Sequence, residues 1–238
     1  MSILRAVFVA IAIVFLTILF GVPAILLAPF KPSGHLTHWI TRWWARTLLR
    51  VGGVTVRPHG LEHVPAGRPC VLVANHASAA DIPILLAHLP FQFRMIAKAS
   101  LFHIPILGWY IRLAGYVSID RESPTRAMRS LERAVQKVRS GLPVLVFPEG
   151  TRSRTGDLQP FNKGAFLLAI QAGVPVVPIA IVGSYEILVR GSLRVHGGTV
   201  DLIVAPPIDT QGYTPKARGQ LADAAYDTIH RCLTDGKT

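Results

Sequence analysis

Short apolar runs that stop abruptly at polar blocks constrain this chain more than any other feature. Val71-Leu72-Val73-Ala74, Val144-Leu145-Val146-Phe147 and Val176-Val177-Pro178-Ile179-Ala180-Ile181 read as buried strands, and Gly115 through Arg121 reads as another, ending in arginine. Val54-Thr55-Val56, Arg94 to Ala97 and Val200 to Val204 add further strand patterns. Helical patterns lie between them. Ser123-Pro124 opens one whose Met128, Leu131, Val135 and Val138 form a core stripe, ending at Gly141. Residues 164–172 suggest a short helix, and Thr214-Pro215 opens a closing one with Leu221, Ala225, Ile229 and Cys232 inward. This alternation predicts an α/β fold: a mixed, partly parallel sheet flanked by helices.

In such sheets ligands bind at the carboxyl ends of the strands. The strand at residues 71–74 runs there into Asn75-His76-Ala77-Ser78-Ala79-Ala80-Asp81, ahead of a helix expected from Ile82 to Leu89. His76 can serve as a general base near neutral pH, and a carboxylate one turn away can hold its ring and stabilise the imidazolium. The competing reading is a capping box, Ser78-x-x-Asp81, in which Asp81 only serves the helix N-terminus. No G-x-S-x-G nucleophile motif occurs, so the nucleophile is expected to be a hydroxyl carried by the substrate. The strand at residues 144–147 ends in Pro148-Glu149-Gly150-Thr151-Arg152-Ser153-Arg154. Arginine grips phosphate bidentately, and glycine lets backbone amides approach an anion.

In this order the blocks resemble the glycerolipid acyltransferases, specifically 1-acylglycerol-3-phosphate (lysophosphatidate) acyltransferases. His76 and Asp81 match the H-x-x-x-x-D motif, with Asn75 before it. Ile119-Asp120-Arg121 matches the second block, Phe147-Pro148-Glu149-Gly150-Thr151-Arg152 the third, and Val177-Pro178-Ile179 the fourth. The likeness is close from Val71 to Ser184. Departures are Ala79 and Ala80 where the family often has an aromatic, Ala99-Ser100 where an acidic residue commonly follows Lys98, and Ser118 where phenylalanine is frequent. They bear on substrate preference rather than on the reaction.

The resemblance implies acyl transfer from a thioester to the sn-2 hydroxyl of lysophosphatidate, giving phosphatidic acid. His76 and Asp81 would be catalytic. Arg121, Glu149, Gly150, Thr151 and Arg152 would position the acceptor, its phosphate gripped by the arginines. Lys163 is a further phosphate candidate, with a solvated lysine as the alternative. Acyl-CoA or acyl carrier protein would bring the acyl group, with no metal and no permanently bound cofactor. Rival readings are a related acyltransferase using glycerol 3-phosphate or a lyso-aminolipid, and a lipid hydrolase activating water.

Composition suits a membrane surface. Half of the 238 residues are hydrophobic, and the formal net charge is +12. Basicity of this kind fits phosphate-bearing substrates and anionic lipid. Nucleic acid is not expected, because no aromatic-interleaved basic motif or helix-turn-helix pattern is present. The two cysteines, Cys70 and Cys232, form no disulfide framework.

Residues 6–30 carry no charge, enough to cross a bilayer, although Pro23 and Pro29 could break a helix there. An uncleaved anchor is expected; a signal peptide is the alternative, but no small-residue cleavage site follows. Lys31, Arg42, Arg46 and Arg50 follow the stretch against Arg5 before it, which predicts a catalytic domain on the cytoplasmic side of the membrane. Trp39, Trp43 and Trp44 among those arginines suit either an interfacial helix or one packed on the domain. The expected organisation is an anchor and interfacial helix over residues 1–50 and one α/β domain over 51–238. Arg126, Arg129, Arg133, Lys137 and Arg139 read as a solvated or membrane-facing surface.

Overall fold

A computed structural model describes residues 3–30, 34–65, 67–120, 123–192 and 194–236. Seven strands form one sheet: β1 (Val54–His59), β2 (Val71–Ala74), β3 (Arg94–Lys98), β4 (Val117–Ile119), β5 (Val144–Val146), β6 (Val176–Val182) and β7 (Gly198–Val204). Their order is β1-β7-β6-β2-β5-β3-β4. The block β6-β2-β5-β3-β4 is parallel throughout, whereas β7 runs antiparallel to β6 and carries β1 parallel to itself. The sheet is therefore mixed, as the sequence pattern predicts.

The continuous apolar runs are explained by burial on both faces. From β2, Leu72 and Ala74 enter one core, with Ile84, Leu85 and Leu86 of α3 (Asp81–His88) and Ala45 and Leu49 of α2 (His35–Gly52). Val71 and Val73 enter the other, with Val135 of α5 (Pro124–Arg139), Phe166 of α6 (Gly164–Ala172) and Ile229 of α8 (Arg218–Asp235). Each fully buried Leu or Ile contributes roughly 1.5–3 kcal/mol. Pro178 is tolerated inside β6 because its carbonyl, which accepts from Ala205 N at 2.9 Å, faces the side where pairing to β7 has just ended.

Several boundaries differ from the sequence pattern. α3 starts at Asp81 itself. Between β3 and β4 stand a 3₁₀ turn (Ala99–His103) and α4 (Leu107–Leu113). A short helix, α7 (Ser184–Ile187), follows β6, and β4 stops at Ile119. Arg121 lies outside the described residues.

At the N-terminus, α1 (Ile3–Leu27) continues through Pro23, and Pro29 falls in a following 3₁₀ turn. Residues 7–27 are long and apolar enough to cross a membrane, and most of that stretch is exposed. α2 packs on the domain, the second of the two readings its sequence allowed. It buries Thr37, His38, Ile40 and Thr41 while leaving Trp39 and Trp43 outward. Cys70 is a core side chain whose thiol burial pushes up to about 12.

Candidate active site

The loop between β2 and α3 opens with Asn75, which extends the β2–β6 ladder by its side chain. Its amide nitrogen donates to Ile181 O at 3.1 Å, and its amide oxygen accepts from Ile181 N at 2.7 Å. That bidentate bond carries β2 one residue past its last backbone pairing and sets the take-off of His76.

One oxygen of Asp81 organises the rest of the loop. Oδ2 accepts from Ala77 N at 2.9 Å, from Ser78 N at 2.8 Å and from His76 Nδ1 at 2.8 Å. A carboxylate only accepts, so Nδ1 donates in this bond, and in the neutral ring Nε2 is the nitrogen with the lone pair. Asp81 is fully buried, while 15% of the His76 side chain remains exposed. Half of the capping-box pattern forms, since Asp81 Oδ2 takes the Ser78 N–H. The other half does not: the Ser78 hydroxyl donates to Leu188 O at 2.8 Å and accepts from Ala80 N at 3.2 Å.

The loop after β5 closes on the same histidine. Phe147 stacks on the imidazole, centroids 4.0 Å apart and planes 16° from parallel. Gly150 N bonds Phe147 O at 3.0 Å, closing a turn with Pro148 and Glu149 at its centre. Gly150 has φ +79°, which only glycine adopts without cost. That turn aims Glu149 inward. Its Oε1 accepts from His76 N at 2.6 Å, and its Oε2 accepts from Gln159 N at 3.2 Å and Gln159 Nε2 at 3.0 Å. Burial raises the Glu149 carboxyl above its ordinary range, and these hydrogen bonds pull the other way. On the far side of His76, its carbonyl accepts from Ser153 N at 2.8 Å.

The remaining expected residues separate by position. Thr151 is exposed and Arg152 half-buried, both on the loop that holds His76. The Arg152 guanidinium makes no ion pair among the described residues, while its carbonyl accepts from Arg190 Nη1 at 2.8 Å. Lys163 is exposed, its ammonium 3.5 Å from where a Cβ on Gly219 would stand, beside the start of α8. It makes no hydrogen bond to His76, Asp81 or Glu149. Asp120 pairs with Arg126 at 3.1 Å.

Sequence reasoning missed Gln159 and Arg190 and gave Phe147 and Asn75 no individual role. Only the place of Asn75 directly before His76, which matches the family motif, carried any local signal. Gln159 and Arg190 reach the site from ten and thirty-eight residues along the chain, at no spacing that a local pattern encodes.

The sequence model of the acyltransferase family matches residues 55–182. The chain is 36% identical over 229 residues to a chloroplastic 1-acyl-sn-glycerol-3-phosphate acyltransferase of Brassica napus, covering 88% of this chain and 63% of that one. It is 34% identical over 215 residues to the 1-acyl-sn-glycerol-3-phosphate acyltransferase of Saccharomyces cerevisiae, covering 88% and 70%. Against a chloroplastic relative from Arabidopsis thaliana it is 38% identical but spans only 52% of that protein's length. The crystal structure of a 1-acyl-sn-glycerophosphate (LPA) acyltransferase, PlsC, from Thermotoga maritima superposes with a TM-score of 0.85 at 27% identity, covering 100% of this chain and 98% of that one. With the family match over more than half its length and relatives of this identity, the chain belongs to the acyltransferase family.

Proposed function

We propose that the protein transfers a fatty acyl group from a thioester to the free sn-2 hydroxyl of 1-acylglycerol 3-phosphate, making phosphatidate. The observation that carries this reading is the 2.8 Å contact of His76 Nδ1 with the buried Asp81 carboxylate, which leaves Nε2 of a partly exposed ring to act as the base. Nε2 takes the proton of the acceptor hydroxyl as its oxygen attacks the thioester carbonyl. The buried Asp81 carboxylate stabilises the imidazolium that forms. When the tetrahedral intermediate collapses, the carbon–sulfur bond breaks and the imidazolium returns the proton to the thiolate. A positioned base of this kind contributes about 100- to 10,000-fold in rate. Acyl-CoA or acyl carrier protein would serve as the thioester.

Arg152, with no carboxylate partner among the described residues, is available to the acceptor phosphate, and Arg121 is assigned the same part from its motif. Glu149 has both oxygens engaged by protein donors, which supports a role in positioning His76 rather than in touching the acceptor. The reading also puts α1 in the membrane, with the catalytic domain on the cytoplasmic side, because Lys31, Arg42, Arg46 and Arg50 follow the uncharged stretch of residues 6–30 and Arg5 alone precedes it.

The test is purified full-length protein with acyl-CoA and a panel of lyso-acceptors, products weighed by mass spectrometry. Phosphatidate from lysophosphatidate is the expected product. Preferential acylation of glycerol 3-phosphate or a lyso-aminolipid, or release of free fatty acid alone, would overturn the assignment.

A further inference from the structure

A second cavity lies away from His76, at the β4 edge of the sheet. It has a volume of about 1200 Å³ and opens between the 3₁₀ turn at Ala99–His103, β4 and α5. None of its lining residues belongs to the two loops that hold His76. Phe102 and Val117 give it apolar walls, while Arg112, Arg129, Arg133 and Lys137 line it with positive charge against one carboxylate, Glu132. No ion pair joins these four cations to any carboxylate among the described residues.

The arrangement along α5 is specific. Arg129, Arg133 and Lys137 recur every four residues and so share one helix face. Like charges at that spacing destabilise a helix unless an anion bridges them. The other basic residues of α5 are already engaged: Arg126 pairs with Asp120 at 3.1 Å, and Arg139 donates to Gln171 O at 2.7 Å. Of the cations that face the cavity, Arg133 Nη2 donates to Ser130 Oγ at 3.2 Å and Arg112 Nη2 to Phe102 O at 2.7 Å, but none meets a carboxylate among the described residues.

The opposite rim is apolar and exposed. Leu101, Ile104, Ile106, Trp109 and Leu113 are each between 37% and 57% accessible, and Arg112 stands among them on α4. Ile106 has φ +65°, a γ-turn conformation that β-branched residues avoid, with Leu107 N bonded to Pro105 O at 2.7 Å. In water nothing offsets the strain of holding an isoleucine outward; at an apolar boundary its burial does. α4 packs on α1, the helix long enough to cross a bilayer, so this rim continues the surface of that helix.

We infer that the cleft between α4, β4 and α5 binds the phosphate headgroup of an anionic phospholipid from the membrane in which α1 sits. An apolar rim beside clustered cations is the pattern of an interfacial lipid site. The acyl chains would lie along the α4 rim, and Arg129, Arg133 and Lys137 would meet the phosphate. An acidic soluble protein would use the cations but would leave the apolar rim and its contact with α1 unexplained. The inference rests on the membrane reading of α1 and not on the chemistry at His76.

The experiment uses full-length protein in neutral detergent, with native mass spectrometry counting retained phosphatidylglycerol against phosphatidylcholine. Wild type should retain phosphatidylglycerol preferentially. Each basic residue at an anionic surface contributes on the order of fivefold in affinity, so R129E/R133E should reduce the preference by about 25-fold or more. K216E/R231E, a charge-matched control on exposed residues at and near α8, should keep it. Melting temperature monitors folding, and single R129Q and R133Q variants, each costing about fivefold, preserve the test if the double variant misfolds. No preference in wild type, or equal loss in both double variants, overturns the inference. So does displacement of the lipid by soluble glycerol 3-phosphate, which would mark a free-phosphate site. Loss of binding to an acidic carrier protein in R129E/R133E with lipid preference intact would assign the surface to that protein instead. Wild type that fails to sediment with phosphatidylcholine vesicles refutes the membrane reading; sedimentation without headgroup preference refutes only this inference.

Discussion

Glu149 Oε1 accepts a hydrogen bond from the backbone N–H of His76 at 2.6 Å, joining loops that are seventy-three residues apart in the chain. The bond fixes the histidine from behind, while Asp81 fixes its ring from the side. Two buried carboxylates thus serve one imidazole, one through the backbone and one through Nδ1.

Glu149→Ala should therefore impair folding and turnover together. It strands the His76 and Gln159 amides, each at about 1–3 kcal/mol when buried and unsatisfied. Glu149→Gln should lose less stability but still misalign His76, because one end of its amide is a donor facing Gln159 donors. Thermal unfolding and kcat on the same samples separate the two effects. If Glu149→Gln lowers KM-dependent steps alone, with kcat unchanged, the positioning role is refuted and acceptor contact is favoured.

His76→Ala should reduce turnover by about 100- to 10,000-fold in a folded protein. Asp81→Asn should also impair it severely, since a neutral amide stabilises the imidazolium less than a carboxylate does. Near-normal kcat in a folded His76→Ala sample would eliminate the general-base mechanism.

For Arg152 the expected signature is selective. A charge-assisted hydrogen bond is worth roughly 1.5–3 kcal/mol, so Arg152→Ala should raise KM for lysophosphatidate about ten- to a hundredfold with little change for the acyl donor. Lysine should rescue only partly, keeping the charge but losing the planar fork. Monoacylglycerol, lacking the phosphate, should be a poor acceptor unaffected by either substitution; equal use of both acceptors by wild type would remove the phosphate assignment.

Asn75→Ala should cost about 2–4 kcal/mol, because both polar groups of buried Ile181 lose their partner. Asn75→Asp should be no better, as its carboxylate would oppose the Ile181 carbonyl. Denaturant titration reads this directly; a loss below about 0.5 kcal/mol, the usual range for surface substitutions, would show that the loop does not depend on the side-chain bridge.

His38 should make stability fall in acid. Burial, with Arg42 and Arg94 nearby, lowers its pKa from 6.5 to about 4, partly opposed by a bond to the Phe91 backbone. Below 6.5 the unfolded chain gains a proton that the folded one refuses, so stability drops as pH falls from about 6.5 towards 4. The full drop is on the order of 3 kcal/mol. Unfolding curves for wild type and His38→Gln across that window should differ in slope, with the variant flatter. Parallel curves would show that His38 titrates normally.

Much was legible in the chain because it is local. The apolar runs at β2, β5 and β6 announce strands buried on both faces, since a parallel sheet covered by helices removes the need for alternation. His76 and Asp81 were legible as a pair because a five-residue loop can return a carboxylate to an imidazole without outside help. The strand–helix alternation likewise predicted the class of fold.

Other features depended on where distant segments meet. Nothing near β7 in sequence says that it reverses against β6, because strand direction follows from how the connecting loop packs rather than from side-chain pattern. Glu149 read as an acceptor-binding residue from its motif; only the turn at Gly150 and the approach of the β2 loop direct its carboxylate to His76 and Gln159. Arg129, Arg133 and Lys137 looked like a solvated face, and their lack of a carboxylate partner among the described residues became visible only beside the apolar rim of α4. Sequence by itself determined the elements and the pairing of His76 with Asp81, because hydrophobic period and short-range spacing are written locally. Tertiary structure decided strand direction, the bracing of His76 and the second cleft, because each rests on hydrogen bonds or charges between residues far apart in the chain.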